Sequence, residues 1–248
     1  QLQSSAASDV YKRQEEHIPN AIFFDLDKNS KLDTDLPHML TDSRSWEKIM
    51  VSMGIENSDR IVVYDNSDVI SSCRCWYNLI YYGHDPKLVH VLDGGLKKWK
   101  KENKPTNNKK VIIQGSNYTC KENIKLVKNK KQIDENIDKK DFNVVDARSR
   151  ERFEGKVAEP RKGLRSGSIK NSFCLPFSEL INNEDNTFIS KDKIKEKFAS
   201  FKFEHSKNIV FSCGSGVTAS VLALAYSLIN AKYMPTIYDG SWSEYGKY

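Results

Sequence analysis

One unit of this sequence occurs twice. Laid side by side, "RIVVYDNSDVISSCRCWYNLIYYGHDPKLVHVLDGGLKKW" and "NIVFSCGSGVTASVLALAYSLINAKYMPTIYDGSWSEY" each read as an apolar strand, a loop, an amphipathic helix, a second strand, then Asp-Gly and an aromatic-bearing turn. Asp65 stands opposite Cys213 and Asp93 opposite Asp239, with the first loop two residues longer. Upstream, "HIPNAIFFDLD" from His17 matches "SIKNSFCLPFSEL" from Ser168. Strands alternating with helices at this spacing predict parallel sheets covered on both faces. The expected fold class is therefore α/β, two tandem domains, each a mainly parallel sheet flanked by helices.

The division between the copies is expected where Pro, Asn and Lys collect, in "NKPTNNKKVIIQGSN". That gives a first domain over 15–107, a linker over 108–122 and a second domain over 123–248. A helix over roughly Ile124 to Asp138 is predicted to feed the strand "FNVVDAR" in the second copy. The first copy has no counterpart to this opening helix and strand, so it is expected to lack its N-terminal strand and to expose a sheet edge. Where the missing strand should stand, "SSAASDVYKRQ" (Ser4 to Gln14) has no hydrophobic period and no signal-peptide core. Written back into codons, it resembles the adapter that transposase-based libraries attach to DNA fragments. Residues 1–14 are thus expected to be adapter-derived or disordered and non-native, with native sequence starting near Glu15 and the true N-terminus missing.

Composition excludes several classes. At 38% hydrophobic residues, no apolar run approaches the ~20 needed to cross a bilayer, so no membrane association is expected. Five cysteines, an odd number with no C-x-x-C pair, suit free thiols in a reducing compartment, cytoplasmic or mitochondrial, rather than disulfide staples. The +6 net charge comes from lysines scattered beside Asn and Glu without interleaved aromatics, which reads as solvated helix and linker faces rather than a nucleic-acid surface. Cys73 and Cys75, two apart on a predicted helix, are poorly spaced as metal ligands. No metal and no cofactor are expected.

The chemistry concentrates in "VFSCGSGVTAS". Cys213 ends an apolar strand and precedes a helix with Val217, Val221, Leu224, Ala225 and Leu228 on one predicted face. At such a junction the helix amides and macrodipole favour an anion, including a thiolate. Gly214 and Gly216 let the backbone curl, and Ser215 and Thr218 add hydroxyls. The loop alone leaves two readings open, an inert strand-end cysteine and a nucleophile. A phosphatase C-x5-R signature fails because position 219 is Ala219, and a dinucleotide fingerprint fails for want of a third glycine.

With "HIPNAIFFDLD", "LPHML", "VLDGGLKKW", "VVDARSRERFEG", "EPRKGLRSG", "CGSGVTAS" and "YDGSWSEY" in that order, the chain resembles the two-domain rhodanese-type sulfurtransferases from about His17 to its end. The resemblance implies an enzyme that moves sulfane sulfur from 3-mercaptopyruvate through a persulfide on Cys213 to a thiol or cyanide acceptor, releasing pyruvate. It implies Ser215, His38 and Asp27 as a proton relay, and Arg152 and Arg161 as clamps for the donor carboxylate. It further implies Gly214, Gly216, Val217 and Thr218 as the amide cradle, and thioredoxin or small thiols as acceptors. Arg148 is expected to pair near the sheet end. Family members that prefer thiosulfate carry basic residues after the cysteine, whereas Gly214 and Ser215 are neutral. Thiosulfate transfer and a non-catalytic binding module stand as the alternatives. Asp65, in the cysteine position of the first copy, makes that copy catalytically inert by the same logic. "SGSIKNS" departs from the family in lacking a histidine and a Pro-Gly turn.

Overall fold

A computed structural model describes residues 16–202, 204 and 207–248; the adapter-like residues 1–14 lie outside them. The chain divides into two compact units. One holds Leu40–Glu122, Asn183–Thr187 and the described residues up to Asp33; the other holds Thr34–Met39, Asn123–Asn182 and Phe188–Tyr248.

The second unit is built on five parallel strands: β3 (Val127–Lys128), β4 (Asn143–Asp146), β5 (Phe173–Cys174), β6 (Ile209–Ser212) and β7 (Thr236–Tyr238), in the order β3-β7-β6-β4-β5. Side chains alternate across a strand, so neighbours on β6 serve opposite cores. Val210 joins Ile133, Val144, Ile169, Tyr238 and Trp242 on one face. Phe211 meets Phe198, Tyr226 and Tyr233 on the other, with ring centroids 6.0 to 6.3 Å away. Helices α4 (Lys130–Lys139) and α8 (Ser241–Tyr245) thus cover one face, and α6 (Lys191–Ala199) and α7 (Val217–Ile229) the other. The register pairs Asp146 with Ser212, which brings the carboxyl ends of β4 and β6 level. The loops after them, carrying Arg148 and Cys213, therefore emerge at one edge.

Two local expectations are corrected. The opening helix starts at Lys130 rather than near Ile124, because Asn129 and Gln132 form a reciprocal capping box with both bonds at 3.0 Å. Ile124–Leu126 is instead a 3-10 turn leading into β3. In α7 the apolar positions are not one stripe: Val217, Ala219, Ser220, Val221, Leu222, Ala223 and Ala225 are all buried, while Leu228 is 38% exposed. Apart from half-buried Thr218, the first two turns are enclosed, and the far end reaches solvent at Leu228.

The first unit contains α1 (Ser43–Ser52), β1 (Ile61–Val63), α2 (Ser72–Tyr81), β2 (Val89–Val91) and α3 (Gly95–Lys101). Among the described residues its sheet has two strands, parallel, with Val62 opposite His90. Val62 is 53% exposed, whereas its repeat counterpart on β6, Val210, is fully buried. "HIPNAIFFDLD", whose repeat partner supplies β5, forms no strand; His17 makes one antiparallel bridge to Asn107. Stability here comes from helix packing: Trp46 of α1 stacks on Tyr82 at 4.3 Å, and nearly all of α2 is buried. Residues 117–122 run along this unit without regular structure, tied by two 2.8 Å bonds between Asn57 and Thr119.

Candidate active site

β6 is fully buried and delivers Cys213 at 2% exposure to the edge of the second sheet. The chain then turns through Gly214, Ser215 and Gly216 into α7. Gly216 lies at φ +80°, a conformation that glycine adopts without strain. The turn is held from beneath by the "DGSWSEY" segment. Cys213 N and Gly216 N both donate to Ser241 Oγ, at 3.2 and 3.1 Å, and Ser241 Oγ donates to Tyr238 O. Trp242 N donates to Cys213 O, and Ser243 donates through both its amide and its hydroxyl to Gly214 O. With these carbonyls tied back, the amides of Gly214, Ser215, Val217 and Thr218 have no protein acceptor among the described residues. Such a ring of donors at a helix start is suited to a sulfur anion.

Above the loop stand two guanidinium groups. A Cβ built on Gly214 would lie 3.3 Å from Arg161 Nη1 and 3.4 Å from Arg152 Nη2, so both arginines converge where position 214 has no side chain. Arg152 sits on α5 (Arg150–Phe153), which Ser149 caps, and is held two-pronged by Glu159, Nε to Oε1 at 3.1 Å and Nη2 to Oε2 at 2.6 Å. Arg161 donates to Ser215 Oγ at 3.5 Å and makes no ion pair among the described residues. Ser215 Oγ also lies 2.9 Å from His38 Nδ1. His38 comes from the Thr34–Met39 excursion that packs within the second unit rather than with the first repeat's sheet, and it takes φ +59°. A non-glycine residue held there costs of order 1 kcal/mol, which marks the position as constrained.

Of the residues expected at the site, Cys213, Gly214, Ser215, Gly216, Val217, Thr218, His38, Arg152 and Arg161 are brought together in one unit. Asp27 lies in the first unit, in a turn closed by Asn29 N donating to Asp25 O. Arg148 is structural, as expected. It is 1% exposed, bonds Asp146 through Nε and Nη2, reaches Glu159 through Nη1 at 2.8 Å, and lies 4.3 Å from the Trp242 ring centroid. Burial works against its charge, but the Asp146 and Glu159 carboxylates outweigh this and hold the guanidinium above its ordinary value. Three supporting residues were not singled out from sequence: Ser241, Ser243 and Glu159. The first two stand in a motif quoted only for its order, and hydroxyls facing backwards onto a loop leave no periodic signal.

The first unit carries the same junction with a different occupant. Asp65 Oδ2 accepts from Ser72 N at 2.9 Å and Ser71 Oγ at 3.2 Å, so a carboxylate of the chain itself fills the start of α2. Burial pushes this carboxyl up, against the lowering effect of the Ser72 amide. The other thiols are unsuited to attack: burial pushes Cys75 and Cys174 up to about 12.

The Rhodanese-like domain model matches residues 6–102 and 129–248. The chain belongs to the rhodanese family. Among curated relatives of this rhodanese chain, the mitochondrial thiosulfate/3-mercaptopyruvate sulfurtransferase 1 of Arabidopsis thaliana is 35% identical over 257 residues, covering 95% of this chain and 67% of that protein. The 3-mercaptopyruvate sulfurtransferase of Mus musculus is 36% identical over 234 residues, covering 94% and 77%. The crystal structure of the Tum1 protein from Saccharomyces cerevisiae superposes with a TM-score of 0.86 at 29% identity, covering 97% of this chain and 83% of that one. Both units thus belong to a tandem rhodanese architecture, with the cysteine in the second.

Proposed function

We propose that this protein is a 3-mercaptopyruvate sulfurtransferase with Cys213 as its nucleophile. The observation that carries the reading is the convergence of Arg152 and Arg161 over Gly214, beside Cys213, with Ser215 linked to His38. The Cys213 thiolate attacks the thiol sulfur of the donor. The carbon–sulfur bond breaks, its electron pair passes into the pyruvate enolate, and the thiol proton is returned to the enolate carbon, leaving a persulfide on Cys213. Arg152 and Arg161 bind the carboxylate beside the ketone, Ser215 and His38 move the proton, and the loop amides stabilise the sulfur anion. Asp27 is kept as a further relay candidate. A thiol such as a small thiol or thioredoxin, or cyanide, takes the outer sulfur.

The runner-up, thiosulfate as donor, is disfavoured by the neutral pair Gly214 and Ser215, and a non-catalytic module by the retained Cys213 with both arginines. Incubation with 3-mercaptopyruvate and dithiothreitol should release pyruvate and sulfide in equal amounts. Unchanged release by Cys213→Ser, or a higher kcat/KM on thiosulfate, contradicts the reading.

A further inference from the structure

We propose that Glu159 sets the donor specificity of this site by cancelling the charge of one of its two arginines. The proposal rests on the sulfurtransferase reading and adds to it the charge class of donor that the clamp accepts. The Glu159 side chain is 1% exposed and accepts from Arg148 Nη1 and from Arg152 Nε and Nη2. Arg148 is in turn paired with Asp146 through Nε and Nη2. Asp146, Arg148, Glu159 and Arg152 therefore form one ladder of two carboxylates and two guanidiniums with no net charge. Arg152, 24% exposed, is its outer rung and still directs Nη2 at the space over Gly214. Arg161 faces the same space without a carboxylate partner among the described residues. The two arginines thus supply two planar hydrogen-bonding edges but one uncompensated positive charge.

A donor with one carboxylate and a neutral thiol matches that balance. A dianion such as thiosulfate brings a second charge to a clamp with one uncompensated guanidinium among the described residues, and beside Cys213, 2% exposed, such a mismatch is less screened than at an open surface. Glu159 also fixes the Arg152 plane from its far edge, leaving its near edge for the substrate. It touches no substrate itself and acts through Arg152, so it is a positioning residue.

The test is the ratio of kcat/KM on thiosulfate to that on 3-mercaptopyruvate in Glu159→Gln, measured at low and at high salt. The amide keeps the shape and can still accept from Arg152 but carries no charge. The ratio is expected to rise at least tenfold, with a smaller rise at high salt. A structural role alone would lower both donors together and leave the ratio within twofold of wild type, which would overturn the proposal. If Glu159→Gln does not fold, Arg161→Gln tests the same balance from the other side. With Glu159 retained and the free cation removed, thiosulfate use should fall at least tenfold further than mercaptopyruvate use, and equal losses would overturn the proposal. A wild-type protein inert towards 3-mercaptopyruvate would instead defeat the reading beneath it.

Discussion

A methyl group at position 214 would stand 3.3 Å from Arg161 Nη1 and 3.4 Å from Arg152 Nη2, in the space proposed for the donor carboxylate. Unlike Gly216, Gly214 has an ordinary backbone conformation, so Gly214→Ala isolates the contact with the arginines from strain. We expect it to lower kcat/KM by roughly 10–100-fold, mainly through KM, with the urea midpoint nearly unchanged. A midpoint shift with unchanged kinetics would show that the arginines do not share that space with the donor. The candidate nucleophile was legible in the sequence because a cysteine between an apolar strand and a glycine turn is a local pattern. Glu159 was legible only as one of three acids near the arginines. Nothing in "ERFEGKVAEPR" says that the Glu159 side chain is 1% exposed while Glu151 and Glu154 face solvent, since this follows from its pairing with Arg148, 11 residues away.

At the scale of the element, both strand–loop–helix junctions need something to tie them down. In the second unit this is Ser241, whose oxygen serves two amides. Ser241→Ala removes the acceptor of two buried amides, at about 1–3 kcal/mol each, and urea unfolding should show a total loss of about 2–6 kcal/mol together with reduced turnover. Stability unchanged within ~0.5 kcal/mol would mean that the loop finds other partners. In the first unit the corresponding group is Asp65, whose carboxyl is raised above its ordinary value of 3.8 by burial. A raised value means the folded state holds the proton more tightly than the unfolded chain. The stability that this group contributes is therefore full below about 3.8 and is lost as pH rises through the folded value. Asp65→Asn keeps an acceptor for Ser72 N and removes the titration. Its stability should gain on wild type from pH 4 upwards, and a parallel pH profile for the two proteins would contradict this. The capping box at Asn129, by contrast, was present in the sequence as Asn followed by Gln three residues later, but the apolar Ile124 and Leu126 masked it.

Across both units, the duplicated plan makes the fold class readable in the sequence: paired strands, a helix between them and Asp-Gly after the second strand recur with little drift. The repeat could not show that Thr34–Met39 leaves the first copy's segment to pack in the second unit, because that step rests on contacts distant in sequence, such as His38 with Ser215 and Asp35 with Lys247. Nor could it show that the first unit's described sheet would be two strands, with its hydrophobic burial carried instead by Trp46, Tyr82 and α2. The two copies differ at the strand–helix junction: the first fills its helix start with the Asp65 carboxyl, and in the second the proposed sulfur anion of Cys213 takes that place. The most direct measurement is the intact mass after 3-mercaptopyruvate is added without an acceptor. Wild-type protein should gain one sulfur atom, mapped to the Cys213 peptide and lost on adding cyanide, and Cys213→Ser should gain none; a sulfur carried elsewhere, or equally by Cys213→Ser, would contradict the account.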